Sequence, residues 1–113
     1  MIFIIDDDEI TAKCIAKAAK RPARIFNNAI EAMDEIARGE LPEIIFMDIM
    51  LAGPDGFTFL NELISYTDTA KIPIVIVSSL DFGTTNLSAY GVVGTLNKEQ
   101  MTPQEIFSYA KRY

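Results

Sequence analysis

Continuous apolar runs constrain this chain most: Ile2-Phe3-Ile4-Ile5, Ile44-Ile45-Phe46-Met47 and Ile74-Val75-Ile76-Val77. A strand with one wet face alternates apolar and polar residues. A run that is apolar at every position reads instead as a strand covered on both faces, the habit of parallel sheets flanked by helices. Shorter runs at Arg24–Phe26 and Val92–Leu96 bring the strand candidates to five.

Helical spacing fills the gaps between them. Ile10, Cys14, Ile15 and Ala18 recur at three-to-four spacing and outline a first helix. Asn28 can cap a second that carries Ile30, Met33, Ile36 and Ala37, with Gly39 after its last turn. Phe57, Phe59, Leu60, Leu63 and Ile64 mark a third. A fourth, around Phe82–Tyr90, is weakened by Gly83, its threonines and Asn86. The fifth opens on Thr102-Pro103-Gln104-Glu105, a capping box with proline at the first helical position. Met33, Met47, Phe57 and Phe59 are expected in or near the core, and Cys14 is expected to pack as a small buried hydrophobe. Five strands alternating with five helices predict right-handed crossovers and a doubly wound α/β sheet with helices on both faces.

A chain of 113 residues fits one domain. No linker, repeat or low-complexity tract divides it. A net charge of −6 with scattered Lys and Arg argues against direct nucleic-acid binding. The single cysteine, Cys14, allows no internal disulfide. The apolar start Met1–Ile5 is too short for a secretion signal and runs into four acids. No stretch is long enough to span a membrane. These features predict a cytoplasmic protein with no membrane insertion. The absence of histidine means that any phosphohistidine chemistry must involve a partner.

The strand ends carry the chemistry. Open parallel sheets bind ligands beyond the carboxyl ends of their strands. At those ends stand Asp6 and Asp7, Asp48, Ser78-Ser79, and Lys98. Adjacent strands lie about 5 Å apart, so carboxylates on neighbouring ends can share one small cation. Mg²⁺ suits an all-oxygen donor set. Three crowded carboxylates repel unless a cation relieves them. A carboxylate nucleophile, a divalent ion, a lysine and a hydroxyl are the parts needed to receive a phosphoryl group. Asp48 is the expected nucleophile, with Lys98 neutralising phosphoryl oxygens and the Ser78 hydroxyl donating to one of them. Asp8 and Glu9 are expected to serve the amino end of the first helix instead.

On these residues the sequence resembles a response-regulator receiver domain (CheY-like) of two-component signalling along its whole length. The matching elements are IIDDDE at 4–9, IIFMDIMLAGPDG at 44–56, IPIVIVSS at 72–79 and GVVGTLNK at 91–98. The resemblance implies a flavodoxin-like (βα)5 fold with strand order 2-1-3-4-5 and one receiver domain over residues 1–113, with no output domain in this chain. It makes Asp48 the phosphoacceptor, and gives Mg²⁺ the ligands Asp6, Asp7, Asp48 and the backbone carbonyl of Met50. Ser78 takes the switch-hydroxyl position and Lys98 the phosphoryl-contacting one. A sensor histidine kinase or histidine phosphotransfer protein is the implied donor, and a downstream protein target the implied reader; relay of the phosphate onward fits equally.

Some positions depart from that pattern. Ala52 and Glu99 replace prolines usual in the family, and Thr95 replaces the aromatic switch residue. Without a proline, a trans Lys98–Glu99 peptide is expected, because cis costs roughly 2.5–4 kcal/mol. Apolar Met50 and Leu80 flank the acceptor and the switch hydroxyl, so slow autodephosphorylation is expected. Two other function classes compete. One is a phosphorylation-independent interaction module on the same scaffold; the other is a nucleotide- or flavin-binding domain, which a lack of any glycine-rich loop after the first strand disfavours.

Overall fold

A computed structural model describes residues 1–48, 56–79 and 88–113, apart from the side chains of residues 56, 57 and 88. Its strands are β1 (Ile2–Ile5), β2 (Ala23–Phe26), β3 (Ile44–Met47), β4 (Ile74–Ser78) and β5 (Val92–Asn97). Its helices are α1 (Glu9–Ala19), α2 (Ala29–Ala37), α3 (Gly56–Ile64) and α4 (Pro103–Arg112). All strand pairs are parallel, in the order β2-β1-β3-β4-β5. The expected helix around Phe82–Tyr90 lies mostly outside the described residues; its described end, Ser88–Tyr90, is a 3-10 turn. Phe57 lies in α3, but its side chain, and so its expected place in the core, falls outside the description.

The apolar runs are central for the anticipated reason. Every residue of β1, β3 and β4 is buried. Successive side chains point to opposite faces. Phe3, Ile5, Ile45, Met47, Ile74 and Ile76 therefore pack on one side with α2 and α3, in a core that includes Phe59, Leu60 and Leu63. Ile2, Ile4, Ile44, Phe46, Val75 and Val77 face the other side with α1 and α4, joined by Ile15, Leu96 and Ile106. Each fully buried aliphatic side chain contributes about 1.5–3 kcal/mol.

The helix faces match expectation at Ile15 and Ile36 and differ elsewhere. On α1 the buried residues are Ala12, Ile15 and Ala19, while Ile10 is 77% exposed and Cys14 is exposed. On α2, Ala29, Ala32 and Ile36 are buried while Ile30 and Ala37 face solvent. Both helices turn alanines toward bulky strand residues such as Phe46 and Phe3. Small side chains let a helix axis approach a sheet whose own residues already fill the gap, and close-packed interiors have no spare volume for a second bulky layer. Cys14 and Ile10 are thereby displaced outward.

Local signals set the helix ends. Asn28 Oδ1 accepts from Glu31 N–H at 2.9 Å, and Thr102 and Glu105 form the reciprocal capping box with Pro103 behind it. The α1 helix closes on Lys20, in the left-handed region at φ 56°, with its ammonium over the Phe107 ring of α4 at 5.3 Å. Arg21, just past that cap, donates to the carbonyl of Ala110 at 2.5 Å and so ties the turn after α1 to α4.

Edge strand β5 carries an irregularity that the sequence did not announce. Ile74 pairs with Val92 and Val75 with Gly94, so Val93 is an extra residue, the count of a β-bulge. The Tyr109 ring of α4 lies across Gly94; a Cβ there would stand 1.9 Å from the tyrosine oxygen. Among the described residues no helix is long and apolar enough to cross a membrane.

Candidate functional site

Parallel register brings the strand ends level. Ile5 pairs with Phe26 and with Met47, and Met47 with Ile76. The ladder continues one residue further, through Asp6 N–H to the Phe26 carbonyl at 3.0 Å and Asp48 N–H to the Ile5 carbonyl at 2.9 Å. Asp6 and Asp48 thus leave the sheet side by side at its carboxyl edge. Lys98 follows β5, its N–H bonded to the Ser78 carbonyl at 3.0 Å. Hydrogen bonding of the backbone, not side-chain attraction, is what aligns these groups.

Four expected site residues meet there. Asp6, at 1% exposure, and Asp48 are both buried, and Asp7 beside them is exposed. One carboxylate oxygen from each of these three lies within 4.8 Å of the others. The Lys98 ammonium donates to Asp48 Oδ2 at 2.8 Å and to Asp6 Oδ1 at 3.3 Å. Ser78 is buried at the end of β4, next to these strands, while Ser79 is exposed. Met50 and Leu80 lie outside the described residues. The Lys98–Glu99 peptide is trans, since no described peptide bond is cis, and Lys98 reaches Asp48 all the same. Thr95 and Glu99 are exposed.

The charges are unequal in their surroundings. Burial pushes the Asp6 carboxyl above its ordinary value, against the pull of the Asp8 amide and of Lys98. Burial alone would lower the Lys98 ammonium, but its hydrogen bonds to Asp48 and Asp6 and their charges outweigh that and hold it above 10.5. Asp6 Oδ2 is 3.1 Å from the Lys98 ammonium yet has no hydrogen-bond partner; the approach is an ion pair off the lone-pair direction. A buried carboxylate oxygen left so is costly in a protein interior. It is the atom a cation would satisfy. With an all-oxygen donor set of clustered carboxylates, the site fits a hard divalent ion such as Mg²⁺.

Sequence reasoning missed how the acidic loop is held. Asp8 was expected to cap α1 and does so, its Oδ1 accepting from Ile10 N–H at 3.1 Å. Unforeseen are the Thr11 hydroxyl, which donates to Asp8 Oδ2 at 2.7 Å, and the Asp8 N–H, which donates to Asp6 Oδ1 at 2.9 Å. A threonine three residues after a capping aspartate was the available signal.

Known proteins resemble this chain in sequence and fold. The sequence model described as "Response regulator receiver domain" matches residues 2–111. The Response regulator PleD of Caulobacter vibrioides is 34% identical over 85 residues, covering 71% of this chain and 18% of that protein. The transcriptional regulatory protein RstA of Escherichia coli is 32% identical over 83 residues, covering 72% of this chain and 33% of that one. This chain therefore spans about a fifth of PleD and a third of RstA. A response-regulator structure from Chloroflexus aurantiacus superposes with a TM-score of 0.78 at 25% identity, covering 98% of this chain and 93% of the other. A sensor-protein structure from Polaromonas sp. JS666 reaches 0.82 at 22% identity over 98% and 92%, a likeness of fold.

Proposed function

This chain belongs to the response regulator receiver domain family, and from that membership we propose that Asp48 accepts a phosphoryl group from a partner phosphohistidine. An Asp48 carboxylate oxygen attacks phosphorus, the P–N bond breaks, and the imidazole leaves with the bonding electron pair and takes up a proton. The product is an acyl phosphate. Residues 1–113 act as one receiver domain, located in the cytoplasm.

The observation that carries this reading is the clustering of Asp6, Asp7 and Asp48 within 4.8 Å, with the Lys98 ammonium 2.8 Å from Asp48. Asp6, Asp7 and Asp48 would hold Mg²⁺, and by family resemblance the Met50 carbonyl would be a further ligand. When bound, the ion supplies charge neutralisation for the phosphoryl oxygens. Lys98 offers a second positive charge on the Asp48 side, and Ser78 a hydroxyl donor at the next strand end. Low exposure around Asp48 strengthens each of these attractions.

Phosphorylation puts a dianionic group among Lys98, Ser78 and the metal, and so favours one of two conformations of the chain. Full switching, from 1:99 to 99:1, takes about 5.5 kcal/mol of differential stabilisation. The donor is a sensor histidine kinase or a histidine phosphotransfer protein, and the reader is another protein. Onward transfer of the phosphate is compatible with the same residues.

Intact-mass measurement after incubation with Mg²⁺ and acetyl phosphate tests the reading. A labile phosphoryl adduct that Asp48→Asn abolishes is the expected result. The competing reading, an interaction module that works without phosphate, is favoured by the exposed, non-aromatic Thr95. It prevails if folded protein gains no adduct even with its kinase.

A further inference from the structure

We propose that Asp8, itself outside the metal ligand set, is a positioning residue for the acidic site, anchored by Thr11; the inference rests on the metal-binding reading above. The Asp8 side chain is exposed and fixed to α1 twice, through Ile10 N–H at 3.1 Å and the Thr11 hydroxyl at 2.7 Å. Its backbone is extended, at φ −90° and ψ 103°, and its N–H donates to Asp6 Oδ1 at 2.9 Å.

The consequence falls on Asp6. Its Oδ1 takes the Asp8 amide, with the Lys98 ammonium farther off at 3.3 Å, and its Oδ2 is buried without a hydrogen-bond partner, though 3.1 Å from that ammonium. A carboxylate free to rotate would bring either oxygen to a cation. Held by the amide, Asp6 presents Oδ2 in one orientation. The peptide that carries this N–H joins Asp7 to Asp8, so anchoring Asp8 also fixes the backbone from which Asp7 reaches the cluster. The side chain of Asp8 thus orders two ligands through the main chain, as partners of metal ligands do elsewhere.

A plainer possibility is that Asp8 merely adds negative charge near the cation, and asparagine separates the two. Asparagine caps a helix as well as aspartate does, and its amide can still pair with a hydroxyl that rotates to suit, but it carries no charge. Isothermal titration with Mg²⁺ at about 0.15 M salt, which screens exposed charges beyond about 8 Å, gives the readout. The full chain is used, with its fold checked by circular dichroism and hydrogen exchange followed at the residue-8 amide.

Asp8→Ala should weaken Mg²⁺ binding about tenfold and speed exchange of that amide. Asp8→Asn should stay within about threefold of the wild type, and Thr11→Val, which keeps the cap, should fall between. The proposal is overturned if folded Asp8→Ala binds as tightly as the wild type, or if Asp8→Asn is as weak as Asp8→Ala. Should Asp8→Ala not fold, Thr11→Val decides: unchanged affinity and unchanged exchange overturn it. Failure of the wild type itself to bind Mg²⁺ overturns the functional reading, and this inference with it.

Discussion

The Lys98 ammonium stands 2.8 Å from Asp48 Oδ2 and 3.1 Å from Asp6 Oδ2. It bridges two carboxylates that the sheet has forced together, and so occupies the ground a second cation would share. A bound cation would therefore compete with Lys98 for the same negative charge, and on the proposed reading the two would cooperate once a phosphoryl group adds more.

Lys98→Ala separates those roles. Without the competing charge, Mg²⁺ should bind about fivefold more tightly, a gain of roughly 1 kcal/mol. Phosphorylation by acetyl phosphate should slow by about a hundredfold, the usual cost of removing one electrostatic contact to a developing charge. Titration calorimetry and adduct kinetics on the same preparation give both numbers. A variant that binds Mg²⁺ more weakly would contradict the competition.

Acid should first stabilise the metal-free chain and then unfold it. The Asp6 carboxyl is raised above 3.8 by burial, so the folded chain takes up that proton more readily than the unfolded one. Stability accordingly rises as pH falls through Asp6's folded value and levels near 3.8. Asp8, lowered by the Thr11 hydroxyl, and Glu35, lowered by Arg24, have the opposite sign. Their contribution is present above 3.8 and 4.5 respectively and is lost as pH falls through their folded values. Thermal melts in EDTA should show a maximum on the acid side of neutrality. Asp6→Asn should remove the rise and keep the fall.

Gly94 and Tyr109 should behave as a coupled pair. Gly94→Ala drives a methyl group into the tyrosine ring, whose nearest atoms would be 1.9–2.7 Å away. Overpacking of this kind costs about 1–3 kcal/mol. Tyr109→Ala makes room for the methyl, so the double variant should lose less than the sum of the two single losses. Strict additivity in urea unfolding would rule the contact out.

The capping box offers a separate check on α4. Thr102→Ala removes the side-chain oxygen that accepts from Glu105 N–H at 3.2 Å, and caps of this kind are worth about 1 kcal/mol. Thr102→Ser should recover most of the loss. Equal destabilisation by both would point to the threonine methyl instead.

Much of this was legible in the sequence because it depends on local order. The runs at Ile2, Ile44 and Ile74 became central strands, and an acid directly after a buried strand has only the sheet rim to occupy, which located Asp6 and Asp48. The capping residues Asn28 and Thr102 act within one turn and read equally well. Helix faces did not, because α1 offers Ile10 and Cys14 at the same spacing as Ala12, Ile15 and Ala19. Space left by Phe46 and Ile4, fixed by distant segments, chose the smaller set. The reach of Lys98 across to Asp6 was hidden for the same reason: 92 residues separate them. The amide bond from Asp8 to Asp6 was hidden because a main-chain group has no letter.

The alternation of β1, β3 and β4 makes the sheet a septum. Among the described residues, Phe3, Ile45 and Ile76 share a core with α2 and α3, and Ile4, Phe46 and Val75 share one with α1 and α4. The two interiors can therefore drift separately over generations, each free to exchange its own bulky and small residues. Only the backbone partition, and the acids at its rim, must satisfy both tenants.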